Sequence, residues 1–325
     1  MLPTKILLAV DGSEESMRAT RKAVALSRGS GSELHVVYVE PVNLNGLPER
    51  EIYAPDVQQE LLQTFAGFAR RKLDELAGRV REAGGEVTGT HARIGSPDKE
   101  VVRLAEEIGA GLVVLGSRGL GAVGRALMGS VSDSVVRHAH CPVLVVHEGE
   151  ERDRAFAKIL LAVDGSGEAE TAAEAATEVG KATGAGLHLL FVMETAPLNP
   201  YAPFLGPEAW EVSADVVEER REKALAFLRG EAERVEARGV RVEEAHLTSG
   251  VPAKEIVVAA EELEADLVVL GSRGLGAVKR VLLGSVSSFV VSHAHCPVLV
   301  VREGAERTKA PPAAARTRAT RTNSG

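Results

Sequence analysis

The chain reads as an α/β protein: two tandem copies of one domain, each an open five-stranded parallel sheet with helices on both faces. Three observations lead there. Long segments recur at a near-constant offset: "KILLAVDGS" at Lys5 returns at Lys158, "LVVLGSRGLGAV" at Leu112 returns at Leu267, and "HAHCPVLVV" at His138 returns at His293. Short β-branched runs alternate with helix-like segments in units of about 30 residues, the signature of βαβ crossovers. The strand-like runs are apolar almost throughout, which fits strands covered on both faces.

Taken in order, the first copy opens on the strand "KILLAV" (Lys5 to Val10) and turns through "DGSEES", where Ser13 suits a helix cap with an acidic first turn. "LHVVYV" (Leu34 to Val39) is the second strand. The stretch from Val57 to Ala83 reads as a long amphipathic helix, with Leu62, Phe65, Phe68, Leu73 and Leu76 available for packing. In "SPDKEVVRLAEEIG", Ser96 is placed to cap, Pro97 takes the first helical position, and Val101, Leu104, Ala105 and Ile108 share one face. "LVVLG" and "PVLVV" close the sheet. The two copies differ in register by two residues, and the slip falls in "PVNLNGLPEREIYAP" and "TAPLNPYAPFLGPE", which read as variable surface loops. The expected division is residues 1–148 and 157–303, a charged linker at 149–156, and a disordered basic tail at 304–325 that lacks large apolar residues.

Composition narrows the function. The net charge of −8 gives no overall attraction to nucleic acid or anionic lipid. No apolar run approaches the roughly 20 residues that a membrane helix needs. Two cysteines in 325 residues make a disulfide framework improbable and point to a reducing cytoplasm.

The chemistry concentrates in the glycine loops. Gly116-Ser117-Arg118-Gly119 is followed after nine residues by Gly129-Ser130, and Gly271-Ser272-Arg273-Gly274 after nine by Gly284-Ser285. This G-x2-G-x9-G-[ST] spacing lies between a strand and a helix start. Glycine lets backbone N–H groups approach an anion, and a helix N-terminus adds unpaired donors, so the parts suit a polyphosphate. Two competing motifs fail. No G-x4-G-K-[ST] occurs. "GLGAVG" spells a dinucleotide fingerprint but follows the fourth strand rather than the first, and its last glycine, Gly124, is Lys279 in the second copy. Asp11 and Asp164 stand at the carboxyl ends of the first strands, suited to ribose, adenine or a metal ion, or to a helix-start turn. Arg118 and Arg273 suit either a phosphate contact or an exposed loop.

"KILLAVDGS", "HARIGSPDKEVV" and "LVVLGSRGLGAVGRALMGSVSDSVVRHAHCPVLVV", with their second copies, resemble the universal stress protein family over nearly the whole of both copies. The resemblance implies a Rossmann-like, adenine-nucleotide-binding fold and ATP, with Mg²⁺, as ligand. It places phosphate contacts at Gly116, Gly119, Gly129, Ser130 and Val131, and again at Gly271, Gly274, Gly284, Ser285 and Val286. Adenosine contacts map to Ala9, Asp11, Val39 and Leu115, and to Ala162, Asp164, Val192 and Leu270. It further implies that the last strands pair antiparallel, making an intramolecular pseudo-dimer that can assemble further, and a role in stress response or signalling through nucleotide-dependent stabilisation and protein partners. A slow Mg-dependent ATPase or phosphotransferase and a nucleotide-free scaffold are the alternatives. No repeated Glu or His stands beside the loop as an activating base, and Asp133 is replaced by Ser288 in the second copy.

"HAHC" (His138 to Cys141, His293 to Cys296) does not read as a zinc site, because three ligands within four residues rarely converge and no partner pair follows. In antiparallel pairing Cys141 and Cys296 stand at opposite strand ends, roughly 15–20 Å apart at 3.3 Å per residue. A disulfide needs Cα atoms within about 7 Å, so free thiols are expected.

Overall fold

A computed structural model describes residues 4–42, 55–119, 128–147, 156–194, 214–274 and 283–302. The first half runs β1 (Lys5–Ala9), α1 (Glu14–Ser30), β2 (Glu33–Pro41), α2 (Pro55–Glu82), β3 (Val87–Gly95), α3 (Pro97–Ile108), β4 (Leu112–Gly116), α4 (Ser130–His138) and β5 (Val143–Val146). The second runs β6 (Lys158–Ala162), α5 (Gly167–Thr183), β7 (Gly186–Glu194), α6 (Ala214–Ala237), β8 (Val242–Gly250), α7 (Pro252–Glu262), β9 (Leu267–Gly271), α8 (Ser285–His293) and β10 (Val298–Val301). The sequence-expected linker, tail and variable loops, with Gly124 and Lys279, lie largely or wholly outside the described residues.

All ten strands form one sheet in the order β3-β2-β1-β4-β5-β10-β9-β6-β7-β8. Pairing is parallel within each half. The exception is the seam, where β5 and β10 run antiparallel with Leu144 opposite Leu299. Strand order reverses between β1 and β4, and again between β6 and β9. Crevices therefore open at the carboxyl ends of those strands.

The central strands explain their own composition. Ile6 and Leu8 enter the core under α1 and α2, while Leu7 enters the core shared with α3 and α4. Alternate residues thus serve opposite faces, and both faces are dry. Complete burial of each such side chain contributes about 1.5–3 kcal/mol. The outermost strands, β3 and β8, are only partly covered.

The seam repeats itself by pseudo-twofold symmetry. His147 Nε2 meets the Val291 carbonyl oxygen at 2.6 Å, and Arg302, the equivalent residue, donates to the Val136 and Arg137 carbonyls at 2.6 and 2.7 Å. Each half thus reaches the end of the other half's last helix. Burial holds the His147 ring below the usual histidine pKa. Helices α1 and α5 also meet at the seam. A Cβ on Gly29 would lie 2.2 Å from the Ala182 carbonyl oxygen, so only glycine permits this approach.

Two expectations need correction. Leu73 and Leu76 of α2 are buried, but Leu62 and Phe68 are 43% and 51% exposed; the small side chains Ala69 and Ala77, with Val80, complete the inner face. Ser96 holds the cap position of α3, yet its hydroxyl donates to Asp98 Oδ1 at 2.5 Å and does not receive a first-turn N–H.

Candidate functional site

In the first half, the crevice is built from the turn after β1, the segment after β4 and the start of α4. Asp11 Oδ1 accepts from the Ser13 N–H at 2.9 Å and from its hydroxyl at 2.6 Å, and Ser13 Oγ in turn accepts the Ser16 N–H that opens α1. The aspartate therefore does serve as a helix-start residue. Its other oxygen points elsewhere: a Cβ on Gly119 would stand 2.5 Å from Asp11 Oδ2. One carboxylate joins the two strand ends, and the turn and ligand-edge readings of Asp11 are compatible.

Each glycine of the motif has a separate geometric reason. A Cβ on Gly116 would lie 2.8 Å from the Glu15 Cβ, so glycine lets α1 settle on the end of β4. Gly129 caps α4 without a side chain, and its N–H donates to the Ser117 carbonyl at 2.8 Å, closing the loop on itself. Ser132 Oγ reinforces that closure by donating to the same carbonyl at 2.6 Å. Because Gly129 brings no side-chain acceptor, the first-turn N–H groups at Ser130 and Val131 are not capped from within the motif. Ala9, Val39, Leu115 and Val131 belong to or pack against one apolar cluster on the α3–α4 side of the sheet.

The second half repeats the frame. Asp164 Oδ1 accepts the Ser166 N–H at 2.9 Å, and a Cβ on Gly274 would lie 2.4 Å from Asp164 Oδ2. The Gly284 N–H donates to the Ser272 carbonyl at 2.7 Å, and Ser287 repeats the role of Ser132. Gly271 lies against Glu168 as Gly116 lies against Glu15, and Ser285 and Val286 open α8 under an uncapped glycine. Ala162, Val192, Leu270 and Val286 join the same apolar cluster as their counterparts. Residues 120–127 and 275–282, which fall in sequence between the two glycine pairs of each motif, lie outside the described residues.

Neither loop arginine is an exposed loop residue. Arg118 Nε lies 3.8 Å from Glu15 Oε1, with its side chain 14% exposed. Arg273 grips the buried Glu168 more closely: its Nε donates to Oε1 at 2.6 Å, its backbone N–H donates to Oε2 at 2.5 Å, and the Ser272 hydroxyl donates to Oε2 at 2.7 Å. The equivalent Ser117 hydroxyl is buried without a hydrogen-bond partner among the described residues. Sequence reasoning missed these glutamates, although both stand at the same place in an acidic helix start.

It also missed Tyr38 on β2, whose hydroxyl donates to Glu40 at 2.9 Å. Burial, that bond and the Glu40 and Asp11 charges push its pKa up to about 12. Phe191 replaces it in the second half. Asp133 is held by Arg137 at 2.8 Å, which ties up the one carboxylate in the α4 start. In the "HAHC" segments, the His138 and His293 rings hydrogen-bond to the carbonyls of Ser134 and Phe289, four residues back. Both cysteines are free and buried, and burial drives each thiol up to about 12.

Comparison with known proteins agrees with this architecture. The model of the universal stress protein family matches residues 3–147 and again 155–302. A universal stress protein of Mycolicibacterium smegmatis is 31% identical over 303 residues, covering 91% of this chain and 96% of its own. One from Mycobacterium tuberculosis is 30% identical, covering 92% and 97%. The crystal structure of a universal stress protein from Archaeoglobus fulgidus superposes with a TM-score of 0.68 at 26% identity, covering 94% of this chain and all of that one. Two family matches in tandem, together with full-length relatives of the same double construction, place this chain in the universal stress protein family.

Proposed function

We propose that each half binds one adenine nucleotide, ATP with Mg²⁺, and that the bound nucleotide stabilises the protein and alters the surface it presents to protein partners in stress response or signalling. The observation that carries this reading is the pairing of an uncapped helix start with a glycine that cannot bear a side chain. Gly129 and Gly284 leave first-turn donors for an anion, and Gly119 and Gly274 keep the ground beside Asp11 and Asp164 clear. A phosphate chain suits such a cradle, because its negative charge meets oriented N–H groups and the positive end of a helix.

The residues fit the ligand. Gly116, Gly119, Gly129, Ser130 and Val131, and their counterparts Gly271, Gly274, Gly284, Ser285 and Val286, would hold the phosphates. Asp11 and Asp164, each with one oxygen directed at the loop, would meet the ribose or the metal ion. Ala9, Val39 and Leu115, with Ala162, Val192 and Leu270, supply apolar surface for the adenosine part. The orphaned Ser117 hydroxyl is a further polar group near the first loop. Arg118 and Arg273 reach the phosphates only by sharing or leaving their glutamates. The bound metal ion would offset phosphate charge; the chain's own part is to orient the nucleotide and exclude water around it.

Mass analysis of nucleotide released from the purified protein tests the reading. Adenine nucleotide in the extract, and ATP binding by calorimetry with Mg²⁺, are expected. An empty protein that takes up no ATP with Mg²⁺ would overturn it.

A further inference from the structure

On the outer strands of the sheet, each half brings two histidines together. His35 Nδ1 and His91 Nε2 are 3.1 Å apart across β2 and β3. His188 Nδ1 and His246 Nε2 are 3.1 Å apart across β7 and β8. The rings stack nearly parallel in both pairs, with centroids 5.3 and 5.4 Å apart. Such a spacing suits a ring-to-ring hydrogen bond. It equally suits two nitrogens on one tetrahedral ion, which at about 2.0–2.1 Å per bond stand roughly 3.3 Å apart.

The carboxylates differ between the halves, and that difference selects the site. In β8, Glu244 lies opposite His188 in register, and its Oε2 is 3.8 Å from His246 Nε2. The ligand atoms of His188, Glu244 and His246 all fall within 4.8 Å of one another. In the first half the position of Glu244 is Gly89, opposite His35. The carboxylate there comes from Glu33, and it meets the other nitrogen of His35, Nε2, at 3.3 Å. Glu33 therefore steadies the ring from behind, whereas Glu244 stands where a third ligand belongs.

We propose that His188 Nδ1, His246 Nε2 and Glu244 form a binding site for a divalent transition ion of borderline softness, with Zn²⁺ the best match. Two imidazoles and a carboxylate are a three-ligand set that leaves one position for water. Burial and the neighbouring His246 and Lys158 charges hold His188 below the ordinary histidine pKa. Lys158 itself is held by the Leu263 carbonyl at 2.6 Å. The ion would fasten β8, the terminal strand of the sheet, to β7. The His35–His91 pair, with no such third ligand among the described residues, binds the same ion more weakly.

The test uses the full-length chain, stripped with a chelator and titrated with Zn²⁺ against a chromophoric competitor, without nucleotide. One tight site per chain is expected. His246→Ala removes it, Glu244→Gln weakens it about tenfold, and His91→Ala leaves it in place. His246 is half-buried and Glu244 exposed, so both variants should fold. As an independent readout, Zn²⁺ raises the melting temperature of the wild type and not that of His246→Ala. Absence of a tight site, or a tight site that survives His246→Ala, would overturn the proposal. Neither result bears on ATP binding, which rests on none of these three residues.

Discussion

The two glycine loops share a backbone frame and differ in how a glutamate answers an arginine. In the second half Glu168 is buried and takes three donors from Ser272 and Arg273, including a backbone N–H of the loop itself. In the first half Glu15 stays 3.8 Å from Arg118 Nε, and the Ser117 hydroxyl has no partner among the described residues. Duplication thus preserved the frame and let the charges inside it diverge. The second cradle is the more tightly self-bound: a phosphate arriving there meets an arginine and a loop N–H gripped by a buried glutamate at hydrogen-bond distance, whereas Glu15 stands further from its arginine. Two nucleotide sites of unequal strength are therefore expected, the first tighter.

The largest effect should come from filling the cradles one at a time. Gly119→Val places atoms on Asp11 Oδ2 and should abolish binding in the first half alone, and Gly274→Val in the second half alone. Calorimetry should show one remaining site in each case, with the tighter site lost in Gly119→Val. Loss of both sites from a single substitution would mean that the halves do not bind independently.

Next is the seam, which holds the two halves in one sheet. Gly29→Val would press into Ala182 and should lower stability by about 1–3 kcal/mol in denaturant titration. An unchanged midpoint would show that α1 and α5 do not pack as closely as described.

A smaller effect is expected from relaxing the second cradle. Glu168→Gln removes the negative charge that competes with phosphate and should tighten the second site about fivefold, narrowing the gap between the halves. Glu15→Gln should change the first site less. If Glu168→Gln weakens binding, the arginine needs its glutamate for positioning and the explanation of the asymmetry fails.

The pH dependence of stability gives the smallest effects. His147 has its folded pKa lowered by burial, so the unfolded chain takes the proton more readily. Its contribution is complete above about pH 6.5 and is lost as pH falls through the lowered folded value. His91 and His188 act with the same sign. His147→Gln should flatten part of the acid limb in a series of thermal melts. The two thiols act at the other end, with folded values near 12 against an ordinary value of 9.0, so their contribution fades between those limits. Native protein at pH 8 should react with thiol reagents only as fast as it opens.

Much of this was legible in the sequence. Burial on both faces of β1 and β4 writes continuous apolar runs, which is why "KILLAV" and "LVVLG" could be placed. The motif glycines were legible because their spacing repeats. What escaped depends on neighbours distant in sequence. Leu62 and Phe68 fit the helical period of α2, yet whether a periodic residue meets a partner depends on how far the sheet extends beneath it. Glu168 and Arg273 are 105 residues apart, and nothing local says that they meet. The histidine pairs need the register of β2 on β3 and of β7 on β8, which no local pattern supplies. The residues of "HAHC" are conspicuous because they are adjacent, while the histidines that meet across β7 and β8 are 58 residues apart.

The most direct test of the central claim is the stoichiometry of ATP binding with Mg²⁺ to the nucleotide-free chain, measured by calorimetry. Two molecules per chain are expected, bound with distinguishable affinities, the tighter one lost in Gly119→Val. No binding, or binding that persists at both sites when Gly119 and Gly274 are replaced together, would contradict it.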